Sequence, residues 1–333
     1  MAKGYKPTEY MYSSARLRSL ETKILGREEI YRLVDSDGVE SLMAVLPEHG
    51  FDVVKNEAGD ILREDTLMSA LEQGFSELVD MGCVNSIRFL QYQYDCNNIK
   101  AIIKCSARGI SPDGMLLPFG SVSIEAAKDA FLNKNYSVFP SAMAKAIVEA
   151  EEAFAATANP QKIDFTIDRA CFSDMLASAQ ESDIELAKHL VVCKIDIVNI
   201  MQTLRIMRMG LKESAAALAD EVYIEGGSFS KRCCVEAISD KESFVQTLFG
   251  SNYYPIAQMV SDDAPLGSIE KKLDNVYLDL AKRAKSVPFG AEVAIGYIFA
   301  LEYEIKNVRI ILAGKDAGLS SDVIRERLRE CYV

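Results

Sequence analysis

The sequence predicts an all-α protein of three structurally related helical units, and three observations carry that expectation. Apolar residues recur at helical spacing, and no sustained period-two run interrupts them. Only 9 of the 333 residues are proline, and 49% are hydrophobic, so a folded core is expected rather than a disordered chain. Most tellingly, one helix occurs three times. It reads Asp95-Cys-Asn-Asn98-Ile99, then Asp196-Ile-Val-Asn199-Ile200, then Glu304-Ile-Lys-Asn307-Val308. Each copy has a carboxylate three residues before Asn and a β-branched aliphatic after it. Eleven residues beyond each Asn stands a glycine (Gly109, Gly210, Gly318), followed by Ile110, Leu211 or Leu319.

Taken in chain order, Ala15, Leu17, Leu20, Ile24 and Leu25 mark one apolar helix face. The segment around Phe51 to Val54 is the best strand candidate, too short to found a sheet. Helices are expected near 63–82 and 84–108. Ser141, after Pro140, can cap a helix running through Ala144, Ile147, Val148, Phe154 and Ala158, which Asn159-Pro160 stops. Further helices are expected near 166–179, 182–209, 213–222, 240–249, 270–284, 288–316 and 321–330.

The repeated glycine has a physical reason. Glycine ends a helix in the left-handed conformation without a Cβ clash, and the aliphatic residue after it can fold back on the last turn. The next helix can then start at once, from Ser111-Pro112 or Ser320-Ser321-Asp322. More of the unit repeats. Ile163 to Phe172 is similar to Ile269 to Leu278. Glu40-Ser-Leu42-Met43 with Leu46 and Phe51 is similar to Glu242-Ser-Phe244-Val245 with Leu248 and Tyr253, and Phe131 with Tyr136 is a candidate middle copy. Three units are therefore expected at 55–158, 159–264 and 265–333, the last completed by residues 1–54 in a circular closure.

Charge narrows the function. A net charge of −12 argues against tracking nucleic-acid phosphates or docking on an anionic lipid surface, and leaves proteins with basic faces as partners. No apolar run is long enough to span a bilayer, since Ala291 to Leu301 stops at Glu302. The first residues lack the apolar stretch of a signal peptide, so a cytoplasmic location is expected. The eight cysteines include no C-x-x-C pair and are read as small core residues, with the adjacent Cys233 and Cys234 as the one redox or metal candidate.

Catalytic signatures are scarce. No phosphate loop and no G-x-G-x-x-G occurs, and Gly226-Gly227 is read as a plain turn. His49 and His189 are isolated and lack zinc-ligand spacing, and Asp262-Asp263 is read as an interhelical loop. No cofactor, metal or catalytic residue is therefore assigned. The repeated Asn admits two readings: it bonds a neighbouring turn with the carboxylate joining in, or three equivalent positions line a shared surface for a partner. On the second reading Asn98, Lys100, Asn199, Arg205, Asn307 and Arg309 are the candidate partner-binding residues.

At this point the chain resembles a known family, the C subunit of V/A-type ATPases, relatives of the eukaryotic vacuolar d subunit. The resemblance rests on Ala15-Arg16-Leu17-Arg18, Leu25-Gly-Arg-Glu-Glu-Ile30-Tyr31-Arg-Leu33 and Glu40-Ser-Leu42, together with the three Asn helices, in that order. Met201 departs from the Asn-aliphatic-basic pattern of Lys100 and Arg309. The resemblance implies a funnel around a pseudo-threefold axis. It implies a non-catalytic rotor subunit between the central stalk and the membrane proteolipid ring, transmitting torque for proton or sodium transport on the cytoplasmic face. The rival readings are a helical-repeat scaffold of another complex and an all-helical enzyme with an unrecognised site.

Overall fold

A computed structural model describes residues 6–211 and 214–333. The described residues form sixteen α-helices. They are α1 (Met11–Glu21), α2 (Arg27–Asp35), α3 (Gly38–Val45), α4 (Arg63–Asp80), α5 (Arg88–Arg108), α6 (Ile124–Leu132), α7 (Ser141–Thr157) and α8 (Pro160–Glu181). Then follow α9 (Glu185–Arg208), α10 (Ala215–Val222), α11 (Lys231–Glu236), α12 (Lys241–Phe249), α13 (Tyr254–Ser261), α14 (Leu266–Ala281), α15 (Ala291–Asp316) and α16 (Ser321–Arg327). The fold class is all-α. Near the expected strand candidate only an isolated antiparallel bridge forms, Lys55 with Ile61.

Two compact units result. One gathers the described residues through Ser86 with Lys271–Val333, and the other is Ile87–Glu270. In the first unit α15 is the core helix. Its residues from Ala291 to Leu301, Glu292 excepted, are buried on every face, and α1 and α4 pack against it. Gly74 of α4 permits a close crossing, since a Cβ there would fall 2.2 Å from Leu301 Cδ1. In the second unit α8 packs against α5 and α7, and α9 against α8 and α10. No helix among the described residues is long and apolar enough to cross a membrane.

The helix ends follow the glycine argument in part. Gly109, Gly210 and Gly318 all take left-handed φ, at 66°, 66° and 65°. Ile110 N donates to Cys105 O and Leu319 N to Gly314 O, closing the last turns. The aliphatics after the first two glycines, Ile110 and Leu211, remain exposed. The expected helix start at Ser111-Pro112 is also absent. Pro112-Asp-Gly114 makes a turn instead, with Met115 N bonded to Pro112 O and Gly114 left-handed, and helix resumes at Ile124. Ser141 is the first residue of α7 rather than its cap; Pro140 holds that place, and α7 ends on Ala158 in a left-handed cap. Asn159 then caps α8 through Gln161 N. The expected start of α10 at 213 lies outside the described residues, as do residues 1–5.

The second repeat keeps its burial pattern. Leu42, Leu46 and Phe51 are buried in one unit as Phe244, Leu248 and Tyr253 are in the other. Phe131 and Tyr136 meet edge-on at 5.1 Å.

Candidate functional site

Each long Asn helix builds the same station. A carboxylate and an Asn three residues apart share one helix face, and both reach backbone of the segment that follows or, in the third copy, also of the N-terminal segment. Asn98 donates from Nδ2 to Leu117 O at 2.8 Å and accepts from Leu117 N at 2.8 Å. Asn199 holds Ile224 in the same two ways, at 2.8 and 2.9 Å. Asn307 holds Arg329, at 3.2 and 2.8 Å. A side-chain amide offers a donor and an acceptor side by side, so it can satisfy both backbone groups of one extended residue. The three Asn are 2%, 2% and 0% exposed, while their backbone partner is buried at Ile224 and only half-buried at Leu117 and Arg329.

The carboxylates hold the strand of chain that enters the next helix. Asp95 accepts from Ser121 N at 3.0 Å, Ser121 Oγ at 2.6 Å and Val122 N at 3.1 Å. Asp196 accepts from Ser228 N at 2.6 Å, Phe229 N at 3.4 Å and the Tyr253 hydroxyl at 2.9 Å. Glu304 accepts from Leu25 N at 2.7 Å. Val122, Phe229 and Leu25 stand in equivalent places: each is buried, and each immediately precedes the residue that caps a helix, Ser123, Ser230 or Gly26. Burial pushes all three carboxyls above their ordinary range, and the bonds they accept oppose it. Glu304, with a single backbone amide on it, is pushed up to about 8.

Two glycines make room for this contact. A Cβ on Gly120 would fall 2.1 Å from Asp95 Oδ1, and one on Gly227 would fall 2.4 Å from Asp196 Oδ1. Gly226-Gly227 is thus more than the plain turn read from sequence: it admits the Asp196 carboxylate to the backbone. The matching runs Gly120-Ser-Val-Ser123 and Gly227-Ser-Phe-Ser230 are the signal that sequence reasoning missed. They begin at different distances from their Asn, so a search at fixed spacing passes over them.

The cations near the stations divide. Lys100 bonds Asp168 of α8 at 2.6 Å and is partly buried. Arg309 is exposed and pairs with Glu64 of α4 through Nε and Nη2, at 3.1 and 2.5 Å. Arg205 is exposed in the last turn of α9. Met201, the departure from the basic pattern, is 4% exposed, so that position faces the core in the second copy. All eight cysteines are free, and six are buried. Among the described residues no group of three or more His, Cys, Asp or Glu is arranged to hold a metal ion. His189 is exposed, while His49 lines a cavity of about 350 Å³ with Glu304, Glu77 and Tyr297.

Comparison with known proteins matches residues 13–327 to the family model described as ATP synthase (C/AC39) subunit. The C subunit of the V-type sodium ATPase of Enterococcus hirae is 22% identical over 328 residues, covering 97% of this chain and 99% of that one. The C subunits of the A-type ATP synthases of Methanocaldococcus jannaschii and Methanosarcina barkeri are each 24% identical, covering 96% of this chain and 86% and 93% of theirs.

Proposed function

The chain belongs to the ATP synthase (C/AC39) subunit family, and on that premise we propose that it is a non-catalytic rotor subunit of a V/A-type ATPase. In this reading it joins the central stalk to the membrane proteolipid ring and passes torque between them for proton or sodium transport. It works on the cytoplasmic face without entering the bilayer. The observation that carries the reading is the family match from residue 13 to 327, nearly the whole chain. The stations supply a physical rationale. Their buried side chains tie consecutive segments together by several hydrogen bonds at each station, which suits a part that must bear load without bending.

We further propose three units at 55–158, 159–264 and 265–333 around a pseudo-threefold axis, the third completed by residues 1–54. Support comes from Glu304, which holds Leu25 as Asp95 holds Val122 and Asp196 holds Phe229. One compact unit gathers the described residues through Ser86 with Lys271–Val333; it joins the described part of 1–54 to the C-terminal segment but also takes in 55–86, so it does not follow the proposed boundary at 55. In this reading the buried Asn residues 98, 199 and 307 set the backbone of each unit, the exposed Arg205 and Arg309 supply charge that meets partners, and Lys100, partly buried on Asp168, ties α5 to α8. A funnel lined by the three Asn helices would seat the stalk.

The test is removal of the subunit from the assembled ATPase. Loss of coupling between hydrolysis and ion pumping, with ATP hydrolysis by the soluble head retained, is the expected result. Loss of head activity itself, or recovery of only unrelated soluble proteins in a pull-down, would overturn the rotor role.

A further inference from the structure

We propose that the first compact unit carries a binding cavity for a phosphoryl group, independent of the rotor role. The cavity measures about 430 Å³, within the range of small-molecule sites. It is formed by α2, α14, α16 and the segment after α16. Five cations line it, Arg27, Lys271, Lys282, Arg325 and Arg329, against Glu330 as the sole acidic side chain of the lining. That concentration stands out in a chain of net charge −12.

The internal partners account for only part of this charge. Arg325 pairs with Asp35 and Asp322, and Arg329 pairs with Asp274 at 2.7 Å. Lys282 lies 3.7 Å from Glu330 and 4.0 Å from Asp279, at the outer limit of an ion pair. Lys271 donates only to a backbone carbonyl, Glu326 O, at 2.5 Å. Arg27 bonds the Tyr31 hydroxyl at 3.1 and 3.3 Å, and no ion pair to it exists among the described residues. Lys271 and Arg27 therefore have no direct ion pair at this cavity among the described residues, and Lys282 has only long ones, although Glu326 and Glu330 stand near Lys271 and Glu330 near Arg27.

Their placement is also organised. The Arg27 and Arg325 guanidiniums lie 5.3 and 5.7 Å from the same Tyr31 ring, which holds both without neutralising either. Burial and then the nearby Arg329 push the Lys271 ammonium below its ordinary range. Like charges gathered in a concave site are held there at a cost that a multivalent anion would relieve. Guanidinium forks and ammoniums suit tetrahedral phosphoryl oxygens.

The probe is inorganic pyrophosphate, titrated by calorimetry against the full chain and against the double variant Arg27→Gln/Lys271→Gln. Both side chains make few contacts, so the variant should keep its helical circular dichroism. Lys231→Gln, in the other unit and paired with Asp220, serves as control. Saturable binding that weakens at least about tenfold in the double variant and not in the control is expected. Co-sedimentation with phosphatidic acid vesicles, lost in the same variant, would assign the phosphoryl group to a lipid headgroup. Pyrophosphate binding without co-sedimentation would assign it to a soluble ligand. No saturable binding, or equal binding by both variants, overturns the proposal. None of these outcomes bears on the pull-down that tests the rotor role.

Discussion

Replacing Asn199 by Leu tests the station directly. The change keeps the branched shape of the side chain and raises intrinsic helix propensity, but removes the amide that serves Ile224 N–H and C=O. Both of those bonds are buried, at 2.9 and 2.8 Å. A buried backbone group left unpaired costs about 1–3 kcal/mol, so two such groups give a loss of about 2–6 kcal/mol. Asn98→Leu and Asn307→Leu strip bonds that are only part-buried, and water can replace them. Their expected cost is smaller, about 1–2 kcal/mol each. Urea denaturation followed by circular dichroism measures this. Thiol labelling of Cys193 and Cys234, both buried in the unit that holds Asn199, isolates the relevant transition. A loss below about 0.5 kcal/mol at Asn199 would refute the reasoning. If stability were unchanged while stalk binding disappeared, the Asn residues would be partner contacts rather than ties.

Three other perturbations follow from the same geometry. Gly120→Ala and Gly227→Ala place a Cβ against Asp95 or Asp196, and each should lower the midpoint of urea unfolding by more than Gly267→Ala, where nothing lies within 4 Å. A Cβ at Gly109, Gly210 or Gly318 meets nothing within 4 Å, so Gly→Val there should cost mainly backbone strain, about 1–3 kcal/mol by thermal melting; unchanged melting in all three would remove the left-handed cap from the account. Glu304 is raised to about 8 from an ordinary value of 4.5. Folding therefore takes up a proton between those limits, and its contribution weakens stability as pH rises from about 4.5 to 8. Glu304→Gln stays neutral and can still accept from Leu25 N. It should flatten that slope and unfold at higher urea than the parent above pH 8, and an unchanged slope would place the titration elsewhere.

Much of this architecture was legible in residue order, because long helices and their ends are local physics. Long runs such as α5, α9 and α15 show their period over many turns, and the left-handed glycines that close α5 and α15 need nothing beyond their own backbone. The short helices α2, α6, α11 and α13 escaped, since two turns or so offer too few apolar positions to establish a period. The start predicted at Ser111-Pro112 failed because Asp113-Gly114 offered a competing turn of equal locality.

What the sequence by itself determined was a set of long helices, the left-handed glycines 109, 210 and 318 that follow three of them and the threefold recurrence of a carboxylate and an Asn. Which backbone those side chains grip was decided by the tertiary structure, since Asn98 finds Leu117, Asn199 finds Ile224 and Glu304 finds Leu25 across separations of 19, 25 and 279 residues. Hydrogen-bond capacity is written in a residue's chemistry. Its partner is chosen only when apolar packing brings a distant, desolvated backbone group within reach and leaves it nothing else to bond.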